Sequence, residues 1–354
     1  MLLPEGYSAA CHTAAIISLS NRGLILVTGD DRVSYLQGLL SNDIAALEQG
    51  AGCYATYLTP QGRMLADLCV LNLGSSLLLD VHASVTGMLV DRLCEFVFME
   101  QVTVQDQTAE WAGFGIHGPE AARIVTEVVQ LASDVGLNST PVGKLEALQE
   151  HQHLAGRYDG MPVVVVRSNE IGEVGFLVYA KAARAEDFGL ALSEAGAKAL
   201  DAETFDLLRL EAGRPVFPAD MNQDTIPLEA GIEDRAISLN KGCYVGQEVI
   251  VRILHRGQGR VARRLVGLSF DSNAVPPTAG DALTTPDDLH GEPIGVLTSV
   301  GCSPALERPI ALGYVKRELA KVGTELVVCG LEHPARGMVT VGPFVKLPRV
   351  GYSF

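Results

Sequence analysis

Apolar positions along the first 260 residues switch between two periods, and each switch marks an element. The run RGLILVT, Arg22 to Thr28, is unbroken and of strand length, which predicts a buried strand. Thr28 followed three residues later by Asp31 reads as a capping box opening a helix, along which Val33, Leu36, Leu40 and Ile44 recur at helical spacing. Asp67 to Leu73 and Leu77 to Ala83 read as the arms of a hairpin joined by Gly74, Ser75 and Ser76. Met88, Leu89, Leu93 and Phe96 mark another helix. Strands are expected at Val102 to Gln105, Trp111 to His117, Val163 to Arg167 and Gly175 to Ala180. Helices are expected at Glu120 to Leu131, Ala185 to Ala195 and Thr204 to Ala212. Beyond Arg260 the texture changes to short β-rich runs (LVGLSF, GVLTSV, IALGYV, ELVVCG, MVTVGPFV) punctuated by Gly and Pro, the pattern of a small antiparallel barrel or sandwich. The change near Gly257 to Arg260 divides a mixed α+β region, residues 1–257, from a β region, residues 258–354.

Composition narrows the class. A chain of 354 residues exceeds the size at which one hydrophobic core stops growing, so more than one domain is expected. With 47% hydrophobic and 19% charged residues it is neither disordered nor fibrous. Lys and Arg number 27 against 42 Asp and Glu, and the resulting charge of -15 repels phosphate backbones and anionic headgroups. No direct nucleic-acid partner and no membrane are expected. The seven cysteines lie no closer than sixteen positions apart, so no CxxC signals a zinc or iron-sulfur site and no metal is expected. That spacing suits a reducing compartment, and the N-terminal stretch lacks the basic and continuous apolar regions of a secretory signal, so the cytoplasm is the expectation.

Four stretches carry candidate chemistry. GFGIHG, with Gly113, Gly115 and Gly118, matches a dinucleotide pattern, but its first two glycines fall inside a predicted strand, which argues for a strand end and turn instead. In NKGCYVGQEVIVRILHRG, Gly242 and Gly246 bracket Cys243 just ahead of a helical spacing, with Lys241, Arg252, His255 and Arg256 nearby. A helix dipole and cations both favour thiolate over thiol. The same cysteine also fits a small buried hydrophobe, and VIVRI could be a strand, which would remove the dipole; the pattern leaves both open. The other six cysteines are assigned to packing. In LTPQGRMLADL, Asp67 heads a strand bound for the core, where a carboxylate needs a partner or faces water at the strand's start. RLEAGRPVFPADMNQDTIPLEAG places Arg214, Asp220, Asp224 and Glu229 on a long Pro-containing loop, either functional or a solvated linker.

KGCYVGQE resembles the signature of the YgfZ-type folate-binding proteins, a branch of the glycine-cleavage T-protein (aminomethyltransferase) superfamily that includes an iron-sulfur assembly factor. RGLILVTGDDRVSYLQGLLSNDI, LTPQGRMLADL and the block before the cysteine extend the similarity over nearly the whole chain. The resemblance implies two intertwined α+β domains with a C-terminal antiparallel β-barrel, around a central folate site. It places the T-protein aspartate near the folate nitrogens at Asp67 and an aromatic of the site at Tyr54, with Arg214 as a further folate contact. The T-protein glutamate that accepts pterin N–H groups falls on Leu177, leaving Glu173 as the nearest carboxylate, and its supporting arginine falls on Phe205. The T-protein has no cysteine where Cys243 stands. The motif residues Lys241, Gly242, Tyr244, Gly246, Gln247 and Glu248 would then surround a working thiol. In function, the resemblance implies a tetrahydrofolate-binding protein that supports [4Fe-4S] enzymes, including those that modify transfer RNA. Its partners would be folate and iron-sulfur enzymes or assembly proteins. The rivals are a tetrahydrofolate-dependent one-carbon transferase and a scaffold with folate as a structural ligand.

Overall fold

The computed structural model describes residues 3–132, 140–289, 291–329, 335–346 and 348. The chain opens with helix α1 (Glu5–His12) and strand β1 (Ala15–Ser18). It then lays down β2 (Arg22–Thr28), α2 (Arg32–Leu39), β3 (Gly52–Leu58), β4 (Met64–Asn72), β5 (Leu77–His82), α3 (Thr86–Glu95) and β6 (Thr103–Asp106). Next come β7 (Trp111–His117), α4 (Ala121–Val128), β8 (Gln130–Leu131), α5 (Pro141–Glu146), β9 (His153–Tyr158), β10 (Met161–Ser168) and β11 (Gly175–Lys181). Helix α6 (Ala185–Glu194), β12 (Lys198–Ala199), α7 (Ala202–Glu211), the one-turn helices α8 (Pro227–Ala230) and α9 (Glu233–Ala236), and α10 (Gln247–His255) complete the mixed region. The remaining strands are β13 (Arg263–Phe270), β14 (Ala282–Thr284), β15 (Gly295–Ser303), β16 (Arg308–Lys316), β17 (Glu325–Val328) and β18 (Arg336–Thr340).

Strands β2 to β6 form an antiparallel sheet in the order β3-β4-β5-β2-β6. The larger sheet runs β12-β1-β7-β11-β10-β9-β8 and is antiparallel except where β1 meets β12. Strand β1 thus belongs to a sheet whose other strands come after the smaller sheet is finished, which intertwines the two α+β units. Strands β13 to β18 close into a six-stranded antiparallel barrel, β13-β16-β15-β14-β17-β18.

Strand alternation sorts the side chains into layers. Met64, Ala66, Leu68 and Val70 of β4 turn toward the core under α2 and α3, while Cys69 and Leu71 turn the other way. In the larger sheet, Phe176 and Val178 join a core with α4 and α6, while Leu177 and Tyr179 face β4 and β5. The two sheets therefore pack face to face over a shared apolar layer that contains Leu24, Leu71, Leu78, Val164 and Val166.

Four expectations are revised. Helix α2 starts at Arg32, and Asp31 makes no cap; its carboxylate accepts from the Gln101 N–H instead, so there is no capping box at Thr28. The helix ends at Leu39, leaving Ile44 buried in the following loop. Helix α4 stops at Val128, and Gln130 and Leu131 pair with β9. The block after Gly213 is no solvated linker: Phe217, Met221, Leu228 and Ile232 are core residues under the smaller sheet.

Candidate functional site

Where the two sheets diverge, their shared layer opens into a cavity of about 130 Å³, space on the order of ten waters and the scale of a fused bicyclic ring. Pairing register builds its floor. Tyr54 stands opposite Cys69, and Cys69 opposite Asp80, so three cavity residues form a row across β3, β4 and β5. Asp67 lies two residues before Cys69 on β4 and so shares its face. It sits three residues inside its strand, which starts at Met64, and opens into the cavity instead of facing bulk water at the strand's start. The larger sheet adds Val166, Arg167, Ser168, Leu177 and Tyr179.

The Tyr54 hydroxyl donates to Asp67 at 2.7 Å. Burial raises the Asp67 pKa; that hydrogen bond and Arg22 oppose the shift without cancelling it. Asp80 is 1% exposed, accepts from Nε of Arg22 at 2.7 Å and also accepts from the Tyr179 hydroxyl. Burial disfavours the Arg22 cation, but Asp80 outweighs it and its pKa ends above the ordinary value. Glu150 lies 3.6 Å from Arg214, whose pKa is lowered by burial and by Arg235. Arg209 is occupied by Asp206 and Asp220.

Subtracting these pairs leaves a polarised remainder. Asp67 accepts from the Tyr54 hydroxyl but forms no ion pair among the described residues, and the Glu170 carboxylate has no hydrogen-bond or ion-pair partner among them. Burial raises the Glu170 pKa, and Asp80, Asp67 and Glu150 raise it further against Arg22. On the cationic side, Nη1 of Arg167 is buried without a partner among the described residues, and burial lowers that residue's pKa. The Arg235 guanidinium lies 5.0 Å from the Tyr54 ring centroid and has no carboxylate partner among the described residues. Asn42 fixes Arg235 by donating to its carbonyl and to that of Tyr54.

Tyr54, Asp67 and Arg214 thus line the cavity together with Leu177 and Phe205. Glu173 does not: it is 2% exposed and lies outside the lining, where Glu170 stands in its stead. After Ser168 the strand gives way to a bend, and strand alternation no longer says which carboxylate turns inward. Sequence reasoning misses Arg22, Cys69, Asp80, His151, Glu170, Tyr179 and Arg235. The signals that could point to them are Asp80 inside the apolar run LLLDVH and the dense polar cluster around EHQH. Cys69, assigned to packing, faces His151 across 3.3 Å, and Cys94 and Cys302 are exposed.

The thiol of Cys243 is exposed and lies outside the cavity lining. VIVRI is helical, and α10 begins at Gln247, four residues beyond the cysteine. The cations read as its neighbours stand elsewhere. Arg252, His255 and Arg256 fall at the far end of α10, and the Lys241 ammonium turns inward to donate to the carbonyls of Gln37, Leu40 and Asn42 at 2.5 to 2.8 Å. Burial pulls the Lys241 pKa down to about 8. The rest of the motif grips the β3–β4 turn. Gly246, with φ 83°, lies where a Cβ would come within 2.5 Å of the Thr59 carbonyl, so only glycine fits. Tyr244 is buried, Gln247 half-buried, and Gly242 and Glu248 exposed.

Two sheets enclosing a polar cavity, with a closed barrel beside them, define the fold class of the folate-dependent T-protein transferases. The crystal structure of the glycine cleavage aminomethyltransferase T from Bartonella henselae superimposes with a TM-score of 0.83 over 96% of this chain and 89% of that one, at 25% identity. Residues 5–241 match the GCVT N-terminal domain and residues 263–346 the glycine cleavage T-protein C-terminal barrel domain. An aminomethyltransferase of Rubrobacter xylanophilus is 30% identical over 95% of this chain and 84% of its own length. That of Streptomyces avermitilis is 32% identical over 88% and 80%. The chain belongs to the GCVT family, the T-protein/aminomethyltransferase superfamily.

Proposed function

We propose that the cavity holds tetrahydrofolate or a derivative, and that Cys243 acts outside it on a protein partner, supporting assembly or repair of [4Fe-4S] enzymes, transfer-RNA-modifying enzymes among them. The observation that carries this reading is the separation of the two centres: an exposed thiol on a pinned loop, and a ligand cavity that does not include it. A thiol so placed reaches a cluster, a persulfide or another protein more readily than a ligand in the cavity.

The residues present suit a reduced folate. Asp67 and Glu170 can accept from ring N–H groups, while Arg167, Arg214 and Arg235 can meet the carboxylates of a glutamyl tail. When bound, folate would supply a one-carbon unit on a ring nitrogen. The chain's own part is to orient that ring between Tyr54 and the apolar wall of Leu71, Val166 and Leu177, and to hold the Asp67 carboxylate beside it. Leu177 and Phe205, where the T-protein carries charged pterin-binding groups, speak against ordinary aminomethyl transfer. The second reading, a tetrahydrofolate-dependent one-carbon transferase centred on Asp67, is favoured by the names of the relatives and by the retained Tyr54–Asp67 pair.

Complementation of a strain lacking the protein, scored by iron-sulfur enzyme activity, separates the readings. Loss only with Cys243→Ser supports the thiol role, and loss only with Asp67→Asn supports the transferase. Survival of both points to a scaffold. Calorimetry should show tetrahydrofolate binding worth roughly 8 kcal/mol or more, the micromolar range; no heat and no thermal shift would remove folate from the account.

A further inference from the structure

Cys69 stands in the cavity wall with its sulfur 3.3 Å from Nδ1 of His151, which lines the same cavity. The two come from different sheets: Cys69 from the middle of β4, His151 from the turn that enters β9. The backbone of His151 has φ 69°, a left-handed conformation uncommon outside glycine. Its N–H donates to the Arg167 carbonyl at 2.9 Å, and its own carbonyl packs so close to Gly52 that a Cβ there would come within 2.6 Å. Strained backbone fixed this firmly, with a side chain aimed into a ligand cavity, is characteristic of functional positions. The imidazole also lies within 16° of parallel to the Tyr54 ring, at a centroid distance of 6.5 Å.

Burial pushes the Cys69 thiol pKa well up and pulls the His151 imidazole down. The resting pair is therefore neutral, and in the tautomer that carries its proton on Nε2 the imidazole presents Nδ1 as a base to the thiol. Such a pair adds across a polarised double bond, because the base takes the proton as sulfur bonds to carbon. The carboxylates of Asp67 and Glu170, which form no ion pair among the described residues, can take a positively charged electrophile, and the guanidinium groups of Arg167 and Arg235 in the same lining leave room for a neutral carbonyl as well.

We propose that Cys69 and His151 form a thiol–imidazole pair that reversibly takes up a small aldehyde- or iminium-level carbon inside the cavity, a reactive centre distinct from Cys243. It rests on the one-carbon reading of the cavity. The Cys69 sulfur bonds to the electrophilic carbon, the C=O or C=N π pair moves onto oxygen or nitrogen, and the thiol proton passes to Nδ1 of His151 and on to that heteroatom. The step is an addition; nothing is oxidised or reduced, and its reversal restores thiol and electrophile.

The full chain is treated with iodoacetamide, and labelling of each cysteine is followed by peptide mass spectrometry. Cys69 should label through the cavity, and His151→Asn, a side chain that tolerates left-handed backbone, should slow it at least about tenfold. Continued protection of the buried Cys11 confirms that the variant is folded. In the wild-type protein, formaldehyde should protect Cys69, with protection lost on dilution. A Cys69 that does not label, that labels equally in His151→Asn, or that formaldehyde leaves unprotected overturns the proposal. Tetrahydrofolate is tested separately: heat in calorimetry without slower Cys69 labelling overturns the placing of folate in this cavity, while the Cys69 labelling rates and the formaldehyde result decide the pair.

Discussion

His117 is wholly buried in β7, and neither ring nitrogen has a hydrogen-bond partner among the described residues. Its neighbours include the Phe205 ring, 5.6 Å away, and burial followed by the Arg167 charge holds its pKa down from 6.5 to about 4. Between those two values the unfolded chain binds a proton that the folded protein refuses. Stability is therefore complete above about pH 6.5 and is lost as pH falls toward 4, by up to about 3 kcal/mol. Urea midpoints measured across that window should decline less steeply in His117→Leu than in the wild-type protein; equal slopes would remove His117 as the cause.

The same residue shows what a sequence reveals at this scale. GFGIHG was legible as a strand end and turn because its first two glycines fall inside the apolar run; β7 covers it as far as His117, and Gly118, at φ 125°, begins the turn. That His117 would be sealed without a partner was not legible, since its surroundings come from α7 and β11. Asp67 could be singled out as a polar group on a strand bound for the core, whereas Tyr54 was reached only through the family resemblance. His151 and Arg235 could not be singled out, because a turn and the one-turn helix α9, both too short to carry a periodicity, bring them to the cavity.

Between elements, one clasp joins the mixed region to the barrel. Arg209 on α7 donates to Asp220 at 2.7 Å and to the Ser299 hydroxyl at 2.7 Å, and Asp220 also accepts from Thr298 and Ser299 of β15 at 2.5 and 2.7 Å. Consecutive strand residues normally face opposite ways; a bulge between Leu297 and Ser299 lets both hydroxyls reach one carboxylate. The Tyr314 hydroxyl of β16 donates to the Asp220 carbonyl at 2.9 Å. Removing one member of a buried ion pair strands the other charge, so Asp220→Ala should cost about 3–5 kcal/mol of stability in urea unfolding. Replacing Arg209 by Met in the same protein should recover part of that loss. A change within about 0.5 kcal/mol, typical of a surface site, would mean that the clasp is not holding the barrel. Asp220 was noted in the sequence as a loop carboxylate, but its partners lie 78 and 79 residues away, beyond any local pattern.

At the scale of the molecule, the charge of -15 sets what can approach. The guanidinium groups of Arg167, Arg214 and Arg235 face inward around the cavity and offer no external basic track. Transfer RNA titrated at low salt should therefore give no saturable, salt-sensitive change in fluorescence anisotropy. A tight, salt-dependent isotherm would overturn the expectation that any effect on transfer RNA passes through modifying enzymes. The barrel was legible as a class from its short punctuated strands. The passage of the chain from one sheet to the other and back was legible only through the family resemblance, which implied intertwined domains, because alternation tells a strand which face is apolar and not which sheet it joins.

That passage has a consequence for synthesis. Ala15 and Ile16 pair on one side with Ile116 and His117 and on the other with Lys198 and Ala199. A nascent chain carrying β1 can complete the smaller sheet first, but β1 gains its last neighbour only after residue 199 has left the ribosome. At translation speeds of about 5–20 residues per second that is a wait of roughly 10–40 s, during which a short apolar segment is exposed to whatever chaperones are at hand.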